Sequence, residues 1–81
     1  MNRPYWMKEI AKTVGKEDLT SREAGAVFKV RIMALKEYQS RFGRYRCPPE
    51  FMDDEISRVT WETTWDRLFQ MNNEVPRAGF H

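Results

Sequence analysis

Residues 20–42, TSREAGAVFKVRIMALKEYQSRF, decide how this 81-residue chain folds. Thr20 followed three residues later by Glu23 is a capping box, in which each side chain reaches the other residue's backbone N–H and opens a helix. Leu19 and Ala24 bracket it at the spacing of a hydrophobic staple. From Ser21 the apolar residues Ala24, Val27, Phe28, Ala34, Leu35, Tyr38 and Phe42 recur at helical spacing, and Val30, Ile32 and Met33 widen the face. The pattern predicts one helix from Ser21 to Phe42, closed by Gly43. A helix apolar on so many sides is central to its fold or shared with another subunit.

Two further helical segments flank it. Upstream, Pro4 suits a first helical turn. Trp6, Ile10 and Val14 follow at i, i+4 and i+8, with Met7 and Ala11 beside them, and Gly15 is a natural stop. Downstream, Glu50, Asp53, Asp54 and Glu55 crowd the turns after Pro49, where the helix dipole favours negative charge. Met52, Ile56 and Val59 make one apolar stripe there, and Trp61, Trp65, Leu68 and Phe69 a second one rotated from it. The β-branched and aromatic run Val59–Trp65 also suits a strand, but a lone strand would have no partner. The expectation is therefore an all-α domain over 1–71, of three helices or of four with a break near Thr60, and a flexible tail over 72–81 that holds Pro76.

Length and composition bound the rest. One domain with a thin core fits 81 residues, and 14% aromatic content argues against a disordered chain. A single cysteine excludes an internal disulfide framework and suits a reducing, cytoplasmic setting. No uncharged apolar run, Ile32 to Leu35 among them, approaches the roughly 20 residues that span a bilayer, so no membrane role is expected. Arg3 is not followed by an apolar signal core.

Charge is segregated. Residues 1–46 carry 11 basic and 5 acidic side chains, whereas residues 47–81 carry 3 and 7. Either the basic half meets a polyanion or the two halves pack together and partly cancel.

Little supports catalysis. Cys47 has no nearby histidine, since His81 is the only one, although Arg44 and Arg46 would lower its pKa somewhat. One Cys and one His fall short of a zinc site, and no calcium loop surrounds the acidic cluster at 50–55. The four glycines are scattered, so no phosphate-binding loop is present. The sequence asks for no enzyme activity, no metal and no cofactor.

Binding is better supported. In Arg41-Phe-Gly-Arg-Tyr-Arg46 three arginines alternate with two aromatic rings; arginine forks onto phosphate, and exposed rings stack on bases. Together with Lys29 and Lys36, the residues Arg41, Arg44, Tyr45 and Arg46 are the candidate nucleic-acid contacts. The competing reading makes Phe42 and Tyr45 core anchors and the arginines complements to the helix C-terminal dipole. Trp61, Trp65 and Phe69 are the candidate anchors for a protein partner, because tryptophan dominates interface hot spots and so small a core has limited room.

The first 38 residues resemble the helical hairpin of the HU/IHF family. The resemblance lies in the Met-Asn-Arg start, in Glu9-Ile10-Ala11, and in Asp18-Leu19-Thr20-Ser21-Arg22-Glu23-Ala24-Gly25-Ala26-Val27-Phe28. It implies a dimerising helical body. The family's β-sheet and proline-tipped DNA arms have no counterpart after Phe42, so no functional residue carries over.

Three functions remain. The first is a small regulatory adaptor that binds a DNA-associated protein, such as a repressor or polymerase component, and changes its hold on DNA. Its apolar helix faces would dock while Arg41, Arg44 and Arg46 add phosphate contacts. The second is an autonomous homodimeric DNA-binding protein using the basic 29–46 edge. The third is an inhibitor of a nucleic-acid enzyme that offers the acidic 50–66 face, although a net charge of +2 gives a weak field for DNA mimicry.

Overall fold

The computed structural model describes residues 5–40 and 46–74. The described residues form four helices and no strand: α1 (Tyr5–Thr13), α2 (Ser21–Gln39), α3 (Pro49–Met52) and α4 (Glu55–Glu74).

Local chemistry sets each boundary. Gly15 ends the α1 turn at φ 83°, a left-handed conformation that a Cβ would strain. The capping box at α2 forms in full: the Glu23 N–H donates to Thr20 Oγ1 at 3.1 Å, and the Thr20 N–H donates to Glu23 Oε1 at 2.9 Å. Ser40 caps the far end, its N–H donating to the Lys36 carbonyl at 3.0 Å and its hydroxyl to the Glu37 carbonyl at 2.7 Å. Helix α2 thus ends at Gln39, short of the expected Phe42; residues 41–43 themselves lie outside the described residues.

Pro49 opens the single turn of α3, and the chain breaks at Asp53–Asp54 before α4 begins. Asp54 accounts for part of the acidic cluster. Its carbonyl accepts the Arg58 N–H at 2.9 Å, and its carboxylate accepts the Ser57 hydroxyl at 2.6 Å. The fourth helix thus comes from this break and not from one near Thr60, which sits mid-helix. Helix α4 also runs past 71 to Glu74; the rest of the expected tail, 75–81, lies outside the described residues.

Val59–Trp65 is helix, and its hydroxyls show how a strand-prone run is accommodated. Thr60 donates to the Ile56 carbonyl at 2.6 Å and Thr64 to the Thr60 carbonyl at 2.7 Å, so both buried hydroxyls are satisfied inside the helix. The two rotated apolar stripes need no break, because α4 packs against α1, α2 and α3 at once. Ile56 and Val59 join Ile10, Ala11, Leu19 and Val27 in one cluster. Trp61 and Trp65 join Val30, Ala34 and Cys47 in the other, with Phe51, Tyr38 and Phe69 against it. Both clusters advance along α2 and α4 in the same direction, so these two helices run parallel. Parallel neighbours require a long connection, and α3 lies on the one between Gln39 and Glu55.

Candidate interaction surface

One side of α2 is consumed by the core: Val27 and Ala34 are fully buried and Val30 is 1% exposed. The opposite side is not. Phe28 is 54% exposed and Ile32 42%, and Leu35 between them and the C-terminus is half-buried. At 100° per residue, Gly25, Phe28, Ile32 and Leu35 fall on one stripe. Trp6 borders it from α1, its ring parallel to Phe28 at 6.0 Å between centroids. The Arg31 guanidinium lies 4.6 Å from the Trp6 ring centroid, a cation–π contact on the same border. On the other border Arg22, Lys29 and Lys36 recur every seven residues, and all three are exposed. The two acids of α2, Glu23 and Glu37, fall on the far side of the helix. Glu23 is engaged there by Lys16 as well as by its cap, and these bonds hold its carboxyl below the usual glutamate range. The stripe is thus apolar along its centre and cationic along both edges.

The expected site residues divide. Lys29 and Lys36 stand on this surface. Arg46 is exposed but belongs to a different one, an open cleft of about 540 Å³ lined also by Cys47, Met52, Arg58 and Glu62. Arg41, Arg44 and Tyr45 lie outside the described residues.

Trp61 and Trp65, expected as partner anchors, are 1% and 3% exposed. They serve the chain's own core. Trp61 sits 6.4 Å from Phe51 and 6.1 Å from Trp65, and Tyr38 meets Trp65 edge-on at 5.3 Å. Phe69 is half-buried against Trp65 and Tyr38 in the same aromatic column. A parallel two-helix layer needs large side chains to fill its seam, and each buried indole removes about 200 Å² from water, worth roughly 5 kcal/mol as an upper figure. The apolar residues left over are instead Phe28 and Ile32, with Tyr5, Met52 and Met71 more dispersed. Phe28 and Ile32 belong to the broad apolar face that the sequence predicts for α2, and periodicity alone does not separate its core from its surface positions.

Cys47 is not activated. Burial pushes its thiol above the ordinary range, and the Glu62 charge adds to this against a smaller opposing effect of Arg58. The thiol is therefore protonated at neutral pH, contrary to the lowering expected from neighbouring arginines. Among the described residues no group of three His, Cys, Asp or Glu is placed to hold a metal ion, and no helix is long and apolar enough to cross a membrane.

An ion pair links the two charge halves, with the bulk signs reversed. Arg67, from the acidic half, pairs with Glu9, from the basic half, at 2.5 Å, and also lies 5.4 Å from the Tyr5 ring centroid. The acids Glu50, Asp53, Glu55, Glu62 and Asp66 are exposed on α3, the turn after it and α4, whereas the Arg22–Lys29–Lys36 line is on α2. No family model matches the chain, and no curated protein or solved structure is significantly similar to it.

Proposed function

We propose that this chain is a small regulatory adaptor that docks on a DNA-associated protein and changes that protein's hold on DNA. The observation that carries the reading is the solvent-facing stripe of α2, where Phe28 and Ile32 stay exposed on a helix whose other side already fills the core. An apolar patch rimmed by charge is the usual form of a protein-binding surface. The Arg22–Lys29–Lys36 line beside it supports an acidic occupant of the stripe, and Arg46, exposed on the separate cleft, supports proximity to DNA phosphates. A protein that binds one state of its partner preferentially stabilises that state by mass action.

The test is affinity capture with the tagged full chain, with and without nuclease, followed by a gel shift of the captured protein on DNA. The reading expects a partner that survives nuclease and whose DNA affinity changes when the chain is added. A partner lost on nuclease treatment, or one whose DNA affinity does not move, counts against it.

The same cation line favours a second reading, direct DNA binding by a homodimer. Each phosphate neutralised then steepens the salt dependence by about 0.9 in log–log slope. A duplex gel shift at low salt with the chain alone separates the two, because the adaptor needs its partner and the dimer does not.

A further inference from the structure

We infer that the α2 stripe receives an acidic amphipathic helix of the partner protein. The inference rests on the adaptor reading and names the element that reading requires. The stripe from Gly25 through Phe28 and Ile32 to Leu35 is about 15 Å long at 1.5 Å per residue, the length of three helical turns. Its apolar centre selects a ligand with its own apolar stripe at i, i+3, i+4 and i+7.

The edges decide the ligand's charge. Arg22, Lys29 and Lys36 line one border and Arg31 the other, while Glu23 and Glu37 face away. An occupant with basic flanks meets like charge on both borders, whereas glutamate or aspartate flanks are attracted on both. A second copy placed symmetrically through this stripe brings two cationic borders together.

Gly25 adds an independent observation. Its backbone is ordinary helix, and a Cβ built there meets nothing within 4 Å, so the chain's own packing gives no reason for glycine. Mid-helix glycine weakens a helix, and on the stripe it lets another backbone approach closely.

The probe is a labelled designed helix of about 20 residues carrying leucines along one face and glutamates on its flanks. It is compared, by fluorescence anisotropy at about 50 mM salt, with a twin bearing lysine flanks and with a scrambled acidic peptide. The acidic helix is expected to bind about ten-fold or more tighter than either control. F28S/I32S should weaken it by about ten-fold or more with the circular-dichroism spectrum retained. If that variant does not fold, K29E/K36E, which alters only exposed side chains, should remove the preference for the acidic twin. Equal binding of the scrambled peptide or of the lysine twin overturns the inference, as does a wild-type dimer in sedimentation that F28S/I32S returns to monomer. Partner capture that persists in F28S/I32S also overturns it, while leaving the adaptor reading intact. Failure to capture any nuclease-resistant partner tells against the adaptor reading whatever the peptide does.

Discussion

Glu23 holds the turn before α2 to the helix itself. Its carboxylate accepts from Lys16 and from the Thr20 N–H, and its own N–H donates to Thr20 Oγ1. The hydrogen bond from Lys16 and then that from Thr20 lower its pKa in the folded chain. A carboxylate whose folded pKa is depressed contributes stability that is fully present above its unfolded value, about 4.3, and is lost as pH falls through the folded one. Glu23→Gln keeps an oxygen for the Thr20 N–H but loses the Lys16 ion pair. The urea midpoint of Glu23→Gln should therefore lie below wild type at pH 7 and converge with it as pH approaches 3; a constant gap across that range contradicts the linkage. Thr20→Ala removes the other half of the box and should cost about 1 kcal/mol at pH 7 in the same urea series.

Glycine has opposite meanings just past α1 and inside α2. Gly15 closes α1 at φ 83°, so Gly15→Ala should destabilise by about 1–2 kcal/mol. Gly25 lies inside α2 with open space where a Cβ would go, so Gly25→Ala should stabilise by about 0.5–1 kcal/mol. For a chain of this size the two should move the thermal midpoint in opposite directions by several degrees, on a scale of about 4–8 °C per kcal/mol. Equal signs would mean that Gly25 is constrained by something other than the helix. The start of α2 and the stop at Gly15 were legible in sequence because capping is a matter of three or four neighbouring residues, whereas the acidic run 50–55 reads as the opening of one helix and hides the break at Asp53–Asp54. Helix α4 was less legible. Its Ile56–Val59 and Trp61–Trp65 stripes suggest a break near Thr60, whereas one continuous helix packs against three neighbours at once. Periodicity reports which positions are apolar and not how many elements surround them. For the same reason the sequence reads Trp61 and Trp65 as surface anchors and does not distinguish exposed Phe28 and Ile32 from buried Val30 on the same helix.

Across the whole molecule, the lone thiol reports how tightly the two layers close. Cys47 is 8% exposed and packs with Val30, Ala34, Trp61 and Trp65, where the crossover between the parallel helices meets the core. A chain of 81 residues has a total stability of roughly 4–12 kcal/mol, so attack by way of global unfolding, as opposed to entry through the cleft that Cys47 lines, is slowed by several orders of magnitude. The folded protein should react with dithionitrobenzoate far more slowly than the urea-unfolded chain. Its rate should also keep climbing with pH beyond about 8.5, where an ordinary thiol begins to level, because burial raises the Cys47 pKa. If exposure requires global opening, stability changes elsewhere must appear in this rate, with 1.4 kcal/mol corresponding to about ten-fold. Gly15→Ala and Thr20→Ala should then speed the reaction by about five-fold or more and Gly25→Ala slow it, although none of the three touches Cys47. A rate that ignores all three would mean that residues 46–48 lift off by themselves, and that Trp61 and Trp65 are held by α2 alone and not by the crossover.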